Sequence, residues 1–184
     1  MNNLTKRMIK EAFFEMLRQK PIDKITVKGI VEHCEINRQT FYYHFSDIYD
    51  LMQWSLVDEL AKFRVDNPVD EDAWLEQIRQ LFQFIHENKK LVLHAYDPVN
   101  RIYYDRFLRE QISPVVRRRV DSSPQAERIP EDKKEFICNA VTIAVAGFIF
   151  QWVEEGVPDE YQVRLDDYIT LFRGSVEHLI SQFE

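Results

Sequence analysis

The chain has 184 residues, 45% of them apolar, with four glycines and seven prolines, a balance that suits one large or two small cores and excludes a low-complexity or fibrous chain. Its net charge of −7 runs against nucleic-acid binding, yet residues 1–50 carry eight Lys and Arg against seven Asp and Glu, leaving sixteen against twenty-four for the remainder. Two cysteines, Cys34 and Cys138, stand far apart in apolar helical contexts, which points to a reduced cytoplasmic chain with no structural disulfide.

The first twenty residues are charged and amphipathic, without the apolar run of a secretory signal, and predict a helix. Leu4, Met8, Ala12 and Met16 form one row and Ile9, Phe13 and Leu17 the next, a stripe wide enough to cover the two helices that come after it in the chain. Residues 26–51 read as two short helices around a tight turn. Thr26 caps the first, placing Val27, Ile30, Val31 and Cys34 on one inward face, and residues 35 and 36 make the turn. Asn37 caps the second, where Phe41 and Phe45 point inward one turn apart. Gln39, Thr40, Tyr42 and Tyr43 then fill an outward arc flanked by Arg38 and His44. That is the layout of a helix-turn-helix, whose second helix enters a DNA major groove, and donors of this kind suit phosphate oxygens and base edges. The plainer use of Tyr42 is to pack on the next helix with its hydroxyl in water, and that of Cys34 is a buried thiol rather than a redox switch.

Ser46 can cap a further helix, in which Leu51, Trp54, Leu56, Val57, Leu60 and Phe63 continue toward Asn67 and Pro68. Pro68 and Asp70 mark a break, after which Trp74, Ile78, Leu81, Phe82 and Ile85 pattern the next helix. Next along the chain come a short helical piece over 90–96, a break at Asp97 and Pro98, and a helix over 99–120. Residues 121–130, with two serines and two prolines, are the clearest loop. Residues 136–153 are apolar nearly all round and must be covered on more than one side. A membrane span is disfavoured, because Asn139, Thr142 and Gln151 interrupt the run and both flanks are acidic rather than basic. The final helix carries Leu165, Ile169, Phe172, Val176, Leu179 and Phe183 on one seam, and the Arg117 to Arg119 run reads as a solvated helix end.

The run T-V-x-x-I-V-x-x-C-x-I-N-x-x-T-F-Y-Y-H-F, with S-D-x-Y-D-L after it, resembles the DNA-binding region of the TetR family of bacterial transcriptional regulators over about the first 50 residues. The resemblance implies an all-α, two-part protein. Residues 1–46 would be a three-helix DNA-binding head, and residues 47–184 a larger helical body that dimerises and holds a small-molecule pocket. It implies that Thr26 and Asn37 donate to phosphates, that Arg38, Gln39, Thr40 and Tyr43 approach bases or nearby phosphates, and that Tyr42 and His44 clamp the DNA backbone. Lys28 belongs, with Lys6, Arg7, Lys24 and Arg38, to a local basic patch on a head that is otherwise near neutral. Two positions depart from the family pattern: Glu35 stands where the turn usually has Gly, and Ile48 where the next helix usually starts with Lys. A left-handed backbone at Glu35 would cost roughly 1 kcal/mol.

Two apolar helices from each subunit would make a four-helix interface through Ala144, Gly147, Phe148, Leu165, Ile169, Phe172, Val176 and Leu179; the other use of that seam is to close the core of one chain. Trp74, His94, Tyr96, Tyr103, Tyr104, Phe107 and Gln151 are the candidates to line an effector pocket, although aromatic residues at helical spacing serve cores more often. The segment G-F-I-F-Q-W-V-E-E-G resembles a TetR-like subgroup that includes dihydroxyacetone kinase operon regulators. His86 and His94 cannot share a helix face as a metal pair, no Cys or Asp cluster joins them, and neither a nucleophile–base pair nor a Gly-rich phosphate loop can be assembled. The expectation is a cytoplasmic regulator, not an enzyme, with no metal or cofactor and no membrane partner. It would act as a homodimeric repressor on a palindromic operator in double-stranded DNA and answer to a small-molecule effector; the alternative is a co-regulator acting through a protein partner.

Overall fold

The computed structural model describes residues 2–63, 71–98 and 101–183, and every regular element among them is helical. In chain order these are α1 (Asn2–Leu17), α2 (Val27–His33), α3 (Arg38–His44), α4 (Ile48–Leu60), α5 (Glu71–Glu87), α6 (Lys89–Ala95), α7 (Arg101–Asp121), α8 (Glu131–Glu154), α9 (Tyr161–Phe172) and α10 (Ser175–Ser181). They form two compact units, one of residues 1–62 with 88–101 and one of residues 63–87 with 102–184. The break expected at Pro68 and Asp70 lies outside the described residues.

The first unit is built around α1. Its Ile9, Phe13 and Leu17 are fully buried, together with Ile30 of α2, Phe41 of α3 and Leu51 of α4. Of the second expected row Ala12 is buried and Met16 half-buried, but Leu4 is 77% and Met8 41% exposed, and Lys10 and Phe14 are buried on the other side. The reason for Lys10 is electrostatic. Its Nζ lies 2.7 Å from Asp58 Oδ2 and 2.6 Å from Glu59 Oε1, both on α4, so that side of α1 faces those carboxylates. Burial alone would push the Lys10 ammonium down, but the two carboxylates outweigh it and hold its pKa above the ordinary value. The Lys10 hydrogen bond lowers Asp58; Glu59 falls below its ordinary value because bonds from Lys10 and Lys62 overcome its burial.

Helix α4 is capped by Asp47, whose Oδ1 accepts from the Asp50 amide at 2.8 Å, rather than by Ser46. Ser46 stands one residue earlier and donates its own amide to Asp50 Oδ2 at 2.8 Å. The short helical piece after α5 also packs on α1, with Leu91 and Ala95 buried. His94 Nδ1 lies 2.6 Å from the Leu17 carbonyl, one of the oxygens that the end of α1 leaves without a helical partner.

In the second unit α5 and α9 run antiparallel, as the pairs Arg79 with Asp166 and Arg173 with Asp72 require. Trp74, Leu75, Ile78, Phe82 and Ile85 form the buried stripe of α5. Phe82 stacks on Trp152 of α8 at 5.2 Å, and Phe148 of α8 stacks on Tyr168 of α9 at 4.3 Å. The seam expected on one final helix is carried by two, because Gly174 takes a left-handed φ of 68° and ends α9; its amide donates to Glu71. The seam before the break packs on α5, and α10 after it packs on α8. Leu165, Ile169, Phe172 and Val176 are no more than 5% exposed within a single chain, so they close its own core and leave no surface for a second copy. Of the other expected interface positions, Ala144, Phe148 and Leu179 are half-buried and Gly147 is exposed.

The loop expected over 121–130 joins α7 to α8 as a packed connection, with a 3-10 turn at Ala126–Arg128 and with Ser123, Ala126 and Ile129 buried. The arginine run is not wholly solvated: Arg118 is exposed and Arg117 half-buried, bonding Asp121 and Glu131, but Arg119 is 5% exposed and pairs with Glu177 of α10. Helix α8 is long and apolar enough to cross a membrane, but 56% of its apolar window is buried inside the chain. Its outward side keeps an apolar stripe of Phe136, Ala140, Ile143 and Gly147 at spacings of four and three.

Replacing Lys10 by Met leaves Asp58 and Glu59 facing each other without a cation. A loss of roughly 3 kcal/mol is expected in urea unfolding, at the lower end for a broken buried pair because both carboxylates keep some water. In the wild-type protein this contribution is fully present above the ordinary carboxylate values of about 4 and is lost as pH falls below them, since folding lowers both pKa values. An acid unfolding midpoint unchanged in Lys10→Met would contradict it.

Candidate nucleic-acid interface

The reading surface is assembled by two caps and two rings. Thr26 Oγ1 accepts from the Gly29 amide at 3.1 Å and starts α2; Asn37 Oδ1 accepts from the Thr40 amide at 2.8 Å and starts α3. Each cap uses the acceptor and leaves the donor hydrogens of the Thr26 hydroxyl and Asn37 amide group on the outside, where a phosphate can take them. The Thr40 hydroxyl donates to Asn37 Oδ1 at 3.0 Å and so braces the cap.

Between the two caps, Glu35 adopts φ 53°, the left-handed conformation anticipated for the turn. The Ile36 amide then reaches the Val31 carbonyl at 3.0 Å, which closes α2 and redirects the chain. Phe41 and Phe45 are 0% and 2% exposed and hold α3 by its inner face. With that face fixed, Arg38 and Gln39 are exposed, as are Tyr42 at 56% and Tyr43 at 76%. Edge-to-face contacts limit their motion: Tyr42 lies 5.5 Å from Phe41 and Tyr43 lies 5.0 Å from His44. Tyr42 therefore does not pack away under the next helix.

His44 is half-buried, and burial together with the nearby Lys6 charge lowers its pKa, so at neutral pH it presents a neutral imidazole. Lys28 is exposed and pairs loosely with Glu32 at 3.7 Å, a contact that a phosphate can replace. Cys34 is a half-buried thiol that donates to the Met8 carbonyl at 3.8 Å; burial and Glu15 raise its pKa, which disfavours the reactive thiolate. From the sequence Lys6 is only one member of a basic patch, and its place beside His44 has no signal in helical spacing because it joins residues from different helices.

The candidates for an effector pocket are divided between the two units. Trp74, Tyr104 and Phe107 are buried in the second unit, whereas Tyr103 and Gln151 are exposed there, Gln151 donating to Glu155 one turn on. His94 and Tyr96 belong to the first unit, where His94 serves the end of α1.

Residues 9–53 match the family model described as bacterial regulatory proteins, tetR family, and residues 72–173 match that of a transcriptional regulator C-terminal region. The chain belongs to the TetR family of transcriptional regulators. Among curated relatives it is 28% identical over 86 residues to the HTH-type dhaKLM operon transcriptional activator DhaS of Lactococcus lactis, a match covering 47% of this chain and 46% of that protein. A solved structure of the dihydroxyacetone kinase operon activator DhaS shares the fold with a TM-score of 0.68 at 20% identity, over 98% of both chains. A TetR transcriptional regulator from Rhodococcus sp. RHA1 does so with a TM-score of 0.57 at 14% identity, over 96% of this chain and 97% of the other.

The turn generates a stability prediction. Glu35→Gly removes the left-handed strain and should raise the urea midpoint by an amount equivalent to about 0.5–1 kcal/mol, whereas Glu35→Val should lower it. A midpoint that falls in both variants would assign Glu35 a contact worth more than the strain.

Proposed function

We propose that this regulator reads a palindromic operator as a homodimer, with one α3 from each copy in successive major grooves, and that a small molecule bound in the second unit changes its affinity for DNA. The observation that carries the reading is the display on α3: Arg38, Gln39, Tyr42 and Tyr43 stand exposed on a helix whose opposite face is locked by Phe41 and Phe45. Large exposed aromatics on a helix of seven residues are favourable only against a partner surface. Thr26, Lys28, Asn37 and His44 would take phosphates on either side, with Thr40 holding the Asn37 cap in place.

Division of labour follows the sequence boundary at residue 46: residues 1–46 read DNA and residues 47–184 regulate and dimerise. The exposed stripe of Phe136, Ala140, Ile143 and Gly147 on α8, with Leu171 exposed on α9, supports pairing of two copies there. For the effector, Trp74 supports a site in the second unit: its ring is buried and its Nε1 has no hydrogen-bond partner, leaving a donor that a polar ligand would satisfy. Repression is the expected outcome when the operator overlaps a promoter. The second reading is a co-regulator that acts through a protein partner; apart from it, the name of the Lactococcus lactis relative, an activator, favours activation over repression.

The test is fluorescence anisotropy on DNA flanking the gene, at several salt concentrations. Tyr42→Ala and Gln39→Ala should each weaken operator binding roughly tenfold while leaving helicity intact. Operator binding by the pure protein supports the first reading, and binding that appears only with a second protein supports the other. Ile143→Glu should halve the mass in sedimentation and abolish specific binding; a retained dimer would move the interface off α8.

A further inference from the structure

Lys6, in the second turn of α1, is held in an unusual place. Its ammonium lies 5.3 Å from the centre of the Phe45 ring and 5.1 Å from that of Trp54, and those two rings are themselves 5.6 Å apart. Phe45 ends the reading helix and Trp54 lies on α4, so a side chain from the first helix is fixed at the far end of α3 by ring faces from two other elements. Its charge is felt at His44, whose imidazole it helps to keep neutral.

Several other lysines of this unit meet carboxylates, whereas Arg7, Arg18, Lys20 and Arg38 are exposed to water. Lys10 takes Asp58 and Glu59, Lys24 takes Asp23, Lys28 takes Glu32 and Lys62 takes Glu59. Among the described residues no carboxylate pairs with Lys6; only the two ring faces hold it. No acidic residue in the first turn of α1 offsets the positive end of that helix. An ammonium on a half-buried residue beside an imidazole, with π-faces behind it and no counter-charge, has its open side free for a charge-assisted bond to an anion.

We infer that Lys6 is a phosphate-binding residue of the DNA interface, and that it and His44 grip one phosphodiester at the C-terminal end of α3. This rests on the reading of α3 as the DNA-contacting helix and adds to it a residue from outside the helix-turn-helix. The rings of Phe45 and Trp54 fix the ammonium before DNA arrives, so little side-chain freedom is lost on binding. Because the contact is to the backbone, it strengthens binding to operator and random DNA alike.

The test compares full-length wild-type protein with Lys6→Met, which keeps an apolar stem on the rings, and Lys6→Arg, which keeps the charge. Exposed Lys20 supplies the control Lys20→Met. Anisotropy titrations on the flanking DNA and on random DNA, over a range of salt, should give a slope of log K against log salt that is smaller by about 0.9 in Lys6→Met and unchanged in Lys6→Arg and Lys20→Met. A wild-type slope in Lys6→Met, while the wild-type protein binds operator, would overturn the assignment of Lys6 and leave the role of α3 standing. Absence of DNA binding by the wild-type protein would overturn both. Saturable binding of inorganic phosphate without DNA, lost in Lys6→Met, would reassign the site to a small anion and overturn the phosphodiester.

Discussion

Helix α3 has seven residues, far too few to hold a helical shape in water by its own hydrogen bonds. Its form and its direction come from two phenylalanines one turn apart, Phe41 and Phe45, buried in the unit whose core also holds Ile9, Phe13 and Leu17 of α1. Everything offered to DNA hangs on that burial. Once the two rings are inside, the 100° step of the helix leaves Gln39, Tyr42 and Tyr43 no choice but to face out. The caps at Thr26 and Asn37 then fix where each helix starts, and the strained turn at Glu35 fixes the angle between them.

That part of the molecule could be read from the sequence because it is written in local rules. A capping residue, a tight turn and a 3.6-residue period act over four to seven positions, and a family resemblance rested on the same residues. The parts that could not be read are those decided between distant segments. No spacing rule says that Lys10 will meet Asp58 and Glu59 inside, or that Leu4 and Met8 will be left exposed. Ser46 and Asp47 are both good caps, and only the reach of Asp50 back to Ser46 selects the second.

The same limit applies to the second unit. A seam of Leu165, Ile169, Phe172 and Val176 looks alike whether it faces a partner or its own core. What decides is the packing of α9 on α5 and of α10, after the turn at Gly174, on α8, which consumes the seam within one chain. The aromatic pairs of Phe82 with Trp152 and Phe148 with Tyr168 show where the apolarity of α8 is spent, and the stripe through Ile143 is what remains. Arg119, which composition placed in water, is inside because Glu177 meets it there.

The Lys10 cluster also limits how α4 can move. Its two carboxylates sit on adjacent positions of α4 and grip one ammonium that has almost no water of its own. A small slide or roll of α4 would stretch both bonds together, and a large one would strand a charge in a dry place. Helix α4 is therefore geared to α1 like a tooth in a notch: it either carries α1 along, and with it the seat of Phe41, or it jumps free. A head built this way responds to a pull on α4 in a step rather than by degrees.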